Sequence, residues 1–180
     1  AASGIETEDT PLIRRCIEAA NEAGALFENA IDKGLCRLDD LFDENYVPIA
    51  GTNPQQVTTR FSRLTDKLMP AIQEGMLDFD PRVTFCAAVD RNGYLPTHNK
   101  IYSHPQSDDP VWNAANCRNR RIFNDRTGLA AGRSTRPFLL QTYRRDMGGG
   151  NFALMKDLSA PIHVKGRHWG GLRIGFKIAP

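Results

Sequence analysis

Pro137 to Ile178 reads PFLLQTYRRDMGGGNFALMKDLSAPIHVKGRHWGGLRIGFKI, and the spacing of its turns decides the fold. Three apolar, β-compatible stretches lie here: Pro137 to Arg145, Asn151 to Val164 and Gly170 to Ile178. Met147-Gly148-Gly149-Gly150 and Lys165-Gly166-Arg167 separate them, and both are turn sequences. Strands joined by such short turns run antiparallel, as a meander. In the last stretch Leu172, Ile174, Phe176 and Ile178 alternate with Gly171, Arg173, Gly175 and Lys177. A period of two gives that strand one buried face and one polar face.

Upstream, Val83 to Val89 is a β-rich apolar run that stops at Asp90-Arg91-Asn92-Gly93. Asn-Gly after a strand predicts a type I′ hairpin, with Tyr94 to Thr97 as the returning strand. Residues 99–132 are polar and rich in Pro, Asn and Asp, with a short helix expected from Val111 to Asn124. Ahead of all strands, Leu12, Ile13, Cys16, Ile17, Ala20, Ala23, Leu26, Phe27, Ala30 and Ile31 recur at helical spacing. Thr10 before Pro11 reads as an N-cap and Gly34 as the stop. A second helix is expected through Val57, Phe61, Leu64, Leu68, Ile72 and Met76, capped by Asn53 ahead of Pro54 and bent at Pro70. The sum is an α+β chain: a five-stranded antiparallel sheet preceded by a long N-terminal helix and a second helix.

The 180 residues suit one domain, with 10–80 as its helical part and 82–180 as sheet with a helical crossing. A net charge of +2 argues against a nucleic-acid partner. No apolar run approaches the ~20 residues a membrane helix needs, so direct membrane insertion of this segment is not expected. Cys16, Cys36, Cys86 and Cys117 are widely spaced and read as free thiols, which favours a reducing compartment and disfavours a cysteine zinc site.

Phe85 to Asn99, with its Asp90-Arg91-Asn92-Gly93 turn, is similar to the opening hairpin of Cache domains, where a strand ends in Asp-x-x-Gly. Trp112 to Gly128, Pro137 to Gly149 and Gly166-Arg167-His168-Trp169-Gly170-Gly171-Leu172-Arg173 together resemble the Cache/PAS-like sensory segment of certain bacterial methyl-accepting chemotaxis proteins. The resemblance covers most of the chain. It implies a non-enzymatic sensor that binds a small molecule and passes a conformational signal to the receptor's signalling helices. It also implies the cytoplasmic side of a membrane receptor, with the periplasmic side left open. The chain departs from the arginine, tryptophan, tyrosine and aspartate signature of amino-acid-binding Cache receptors, so no ligand identity is carried over.

Ligand-binding candidates follow from charge and alternation. Arg118, Arg120 and Arg121, with Asn116, lie in the crossing that covers the sheet, and guanidinium groups grip carboxylate or phosphate by two-point contact. Trp112 is a candidate stacking wall. Gln141, Tyr143 and Arg145 share one strand face, Asp157 shares a face of the next strand, and paired strands bring them to one side of the sheet. His98 and His163 sit at strand ends, so either is a candidate axial ligand if the fold carries haem, though no CxxCH motif permits covalent attachment. No catalytic constellation stands out, and no cofactor is required. A haem or metal redox or gas sensor and a ligand-free dimerisation module remain the competing readings. The N-terminal helix is the expected contact of a homodimer.

Overall fold

The computed structural model describes residues 6–178. The chain opens with α1 (Thr10–Asp32) and continues through α2 (Leu38–Leu41), β1 (Val47–Pro48), β2 (Val57–Thr58), α3 (Ser62–Leu68) and α4 (Pro70–Phe79). β3 (Val83–Asp90) and β4 (Tyr94–Leu95) follow, then a crossing made of a 3-10 turn at Lys100–Tyr102, α5 (Pro110–Asn116), β5 (Arg121–Ile122) and α6 (Arg126–Arg133). The chain ends in β6 (Leu139–Gly148), β7 (Asn151–Val164) and β8 (Arg167–Lys177). This is the α+β architecture expected from the strand and helix patterns.

The C-terminal meander forms as its turns require. Gly149 and Gly150 (φ 62° and 82°) join β6 to β7, and Lys165 and Gly166 (φ 51° and 78°) join β7 to β8. Both are two-residue turns with positive φ throughout, the type whose twist matches a hairpin. At the end of α1, Gly34 is likewise left-handed, and Leu35 N donates to Ala30 O at 2.9 Å to close the last turn. Thr10 is the first residue of that helix rather than its cap. Asp9 stands ahead of it and spends its carboxylate on Arg82 and Lys156, 2.7 Å from each.

The central sheet has four strands, in the order β3-β8-β7-β6, not five. The Asp90 turn is the reason. Asp90 Oδ1 accepts from Asn92 N and Tyr94 N, and Gly93 N donates to Asp90 O, with only Gly93 of this turn left-handed. A type I′ turn needs two such residues. The returning segment therefore leaves β3, and β4 pairs with β5. The open edge of β3 is satisfied by side chains: Asn99 Oδ1 accepts from Cys86 N at 2.8 Å, and Gln73 Oε1 from Ala88 N at 2.9 Å.

The second helix starts later than expected and is divided. Thr52 Oγ1 accepts from Gln56 N, and Val57 N donates to Arg120 O at 2.7 Å, so Val57 enters a short strand. The break between α3 and α4 falls at Met69, ahead of Pro70, which lacks an N–H. In the crossing, α5 stops at Asn116, short of the expected Asn124, because Cys117 bridges back to Ser103 and Arg120 turns left-handed (φ 63°).

The sheet is covered on both faces. On one, Leu158, Ala160, Ile162, Leu172, Ile174 and Phe176 meet α1, α3 and α4 in the main core. The inner stripe of α1 is rich in small residues (Ala19, Ala20, Ala23), so the helix lies close upon β7. On the other face, Phe85, Ala87, Val89 and Leu95 form a smaller core with Tyr102, Phe123 and Tyr143 beneath the crossing. Arg173, expected on a polar face, is consequently buried.

Candidate functional site

Between this second sheet face and the crossing lies a cavity of about 320 Å³. Its floor is Phe85 of β3, Tyr143, Arg144 and Arg145 of β6, and Arg173 of β8. Ala114, Arg118, Arg121 and Ile122 form the roof, the segment Phe123 to Asp125 one side, and Leu95 and His98 the inner wall.

Sheet register sets the floor. Phe85 pairs with Gly175, Gly175 with Asp157, and Asp157 with Gln141 across the strands. Because Gly175 carries no side chain, the Phe85 ring lies across its Cα, where a Cβ would overlap the ring. That ring carries two guanidinium groups: the Arg145 and Arg173 Cζ atoms lie 5.3 and 5.7 Å from its centroid. Tyr102 faces Arg145 as well, at 4.8 Å, and Phe123 faces Arg121 at 4.7 Å. The aromatic rings thus hold the cations in place.

Arg145 is 5% exposed; its Nη1 donates to Thr84 Oγ1 at 3.1 Å, while its Nε is buried with no hydrogen-bond partner. Arg173 donates through Nε to Asp157 Oδ1 at 2.9 Å. On the roof, Arg118 donates to Ala115 O and Arg121 to Ala114 O, each at 3.2 Å. Burial, followed by the charges of Arg145 and Arg121, drops Arg118 to about 10. Burial also holds His98 well below its ordinary value, and Arg145, Arg118, Arg173 and Arg121 press it the same way. His98 is therefore neutral. Its Nδ1 accepts from Asn99 N at 2.7 Å, which assigns the remaining proton to Nε2. Burial pushes Tyr143 up to about 12, so its hydroxyl keeps its proton.

Five of the sequence candidates, His98, Arg118, Arg121, Tyr143 and Arg145, come together in this one cavity. The other five do not line it. Arg120 turns away and grips Asp66 through Nη1 and Nη2 at 2.9 and 2.6 Å, because its left-handed backbone reverses the chain before Arg121. Trp112 is 40% exposed beside His104, and Asn116 Nδ2 donates to Trp112 O within α5. Gln141 Nε2 donates to Thr127 O, tying β6 to α6. Asp157 is fully buried behind Arg173. His163 is exposed, with its ring 5.4 Å from that of His168, and lies outside the cavity. As an axial ligand His98 fits poorly, since a metal needs the Nε2 lone pair and the Asn99 contact puts a proton there.

Phe85, Arg173 and Asp125 were not singled out from sequence. Arg173 carried a readable signal: the strand alternation puts it, between two glycines, on the face opposite Leu172 and Ile174. No protein-family model matches the chain, and no curated protein matches it. No helix among the described residues is long and apolar enough to cross a membrane.

Proposed function

We propose that this chain is a ligand-sensing domain of the chemotaxis-receptor kind, which binds a small molecule in the cavity between sheet and crossing and passes the change to receptor signalling helices. The cavity itself carries the reading. Its volume of about 320 Å³ is in the range of small-molecule sites, and its walls combine rings with convergent polar groups. Its placement supports coupling. Arg145 and Arg173 stand on β6 and β8, while α1 lies on the opposite face of β7 and β8. A ligand that draws the crossing onto the floor alters strands on which α1 rests, and differential affinity for two arrangements is all a sensor needs.

Binding rather than turnover is the better account. Among the described residues no Ser, Thr or Cys lines the cavity, and both Tyr143 and His98 sit in the protonation state of a neutral donor.

The test is a thermal-shift screen of neutral, cationic and anionic metabolites, followed by amide exchange with the best binder. The expected result is a saturable rise in Tm, with slowed exchange in α1 as well as in the crossing. Absence of any stabilising metabolite, or protection confined to residues 95–125, overturns the sensor reading.

A further inference from the structure

The geometry points to a small organic acid as the ligand class of this cavity, its carboxylate held by Arg145 and its apolar body against Leu95, Ala114 and Ile122. The inference rests on the sensor reading for its context, but its chemistry is independent of signalling.

The donor inventory argues for an anion. Arg118, Arg121, Arg145 and Arg173 present guanidinium groups to the space, and none can accept a hydrogen bond, whereas the Arg144 side chain lies over Phe152 on the opposite sheet face. His98, neutral with Nδ1 already accepting, offers only an Nε2–H. Set against these, among the described residues, are the side-chain acceptors of Asp125 and Asn124 on one side of the cavity and the Tyr143 hydroxyl on its floor.

Arg145 is the specific anchor. Thr84 takes its Nη1, leaving the edge formed by Nε and Nη2, the edge on which a carboxylate docks side-on with two parallel bonds. Nε on that edge is buried without a partner. A buried donor left unmade is costly, and a ligand carboxylate supplies the missing acceptor. The ring faces of Phe85 and Tyr102 fix the guanidinium plane before any ligand arrives. Such preorganisation favours binding because little remains to be ordered.

The remaining walls argue for a carbon body on that anion. Leu95, Ala114 and Ile122, with Phe123 and Tyr143, give the cavity an apolar lining beside its charged groups. A bare inorganic anion leaves that surface uncovered, whereas an organic acid covers it.

The experiment compares acetate, succinate and benzoate with acetamide, succinamide and benzamide, and with inorganic phosphate, by calorimetry and thermal shift on the full chain. At least one acid is expected to bind saturably and at least tenfold tighter than both its amide and phosphate. Arg145→Gln is expected to weaken that acid at least tenfold, Arg145→Lys less, and Arg120→Gln, outside the cavity, not at all. Circular dichroism of each variant separates lost binding from lost fold, and where Arg145→Gln unfolds, the comparison rests on Arg145→Lys. Amides binding as well as acids, phosphate binding tightest, none of the acids binding, or undiminished binding by a folded Arg145 variant each overturn the organic-acid assignment. If a neutral metabolite from the wider screen still stabilises the chain, the sensor reading survives that failure. If nothing stabilises it, both fall.

Discussion

The Arg173 guanidinium places Nε and Nη2 each 2.9 Å from Oδ1 of Asp157, while Oδ2 of the same carboxyl is buried without a hydrogen-bond partner. The two residues stand on neighbouring strands one step out of register, since Ser159 is opposite Arg173 and Asp157 opposite Gly175. Burial works to lower Arg173, but the Asp157 charge prevails and holds the guanidinium protonated. The pair therefore presents one fixed cation to the floor of the cavity.

Breaking that pair should be costly. Asp157→Asn leaves a buried guanidinium without its counter-charge, for which the expected loss is about 3–5 kcal/mol in urea unfolding. Replacing both, as Asp157→Leu with Arg173→Met, removes the burial cost of the two charges together. The double variant is expected to be more stable than Asp157→Asn alone. A double variant as unstable as the sum of its singles would show that the pair is not coupled.

Gly175 and Phe85 should show a second coupling. A Cβ at position 175 overlaps the Phe85 ring. Gly175→Ala is expected to destabilise by about 1–3 kcal/mol, the usual cost of overpacking. In a Phe85→Leu background the same alanine should cost measurably less, because the obstructing ring edge is gone. Equal penalties in the two backgrounds, measured by thermal unfolding, would place the strain elsewhere.

Arg120 offers a contrast with Arg145. Its two-pronged contact with Asp66 and its further bond to Pro96 O at 2.6 Å are structural, and its φ of 63° is unfavourable for a residue with a Cβ. Arg120→Ala loses the contacts and keeps the strain, whereas Arg120→Gly loses the contacts and relieves the strain. The glycine variant is therefore expected to be the more stable by about 1 kcal/mol in chemical denaturation. A glycine variant less stable than the alanine one would mean that the left-handed turn is not under strain.

The parts of this fold legible in the sequence were those written in local chemistry. Gly149-Gly150 and Lys165-Gly166 specified their turns, the alternation in β8 specified its faces, and the spacing in α1 specified its buried stripe. What misled was decided by partners distant in the chain. Val57 carries a helical pattern but is taken by the Arg120 carbonyl, and β4 is drawn off β3 by the Asp90 carboxylate. The same division holds in the site. Tyr143 and Arg145 were placed by strand period alone, but among three neighbouring arginines only the tertiary contact with Asp66 shows that Arg120 faces away.

Two of the buried titrating groups, His98 and Asp90, should pull stability in opposite directions below neutral pH. Folded, His98 stays neutral well below its ordinary value of 6.5, because burial and then the surrounding guanidinium groups resist its protonation. The unfolded chain binds the proton that the fold refuses, so His98 favours folding above about pH 6.5 and withdraws that support as pH falls. Asp90 behaves conversely. Burial raises it to about 6 against the bonds from Tyr46, Tyr94 and Asn92 that work to lower it. From about pH 4 to 6 the fold holds a proton that the unfolded chain has lost, and stability falls as pH rises through that window, by on the order of 3 kcal/mol. Unfolding free energies of the wild type, His98→Gln and Asp90→Asn from pH 4 to 8 separate the two. Relative to wild type, His98→Gln is expected to gain stability on acidification from pH 7.5 to 5. Asp90→Asn, whose amide oxygen still accepts from Asn92 and Tyr94, is expected to gain as pH rises from 4 to 6.5. A variant whose curve runs parallel to wild type would show that its residue titrates alike in the folded and unfolded chain.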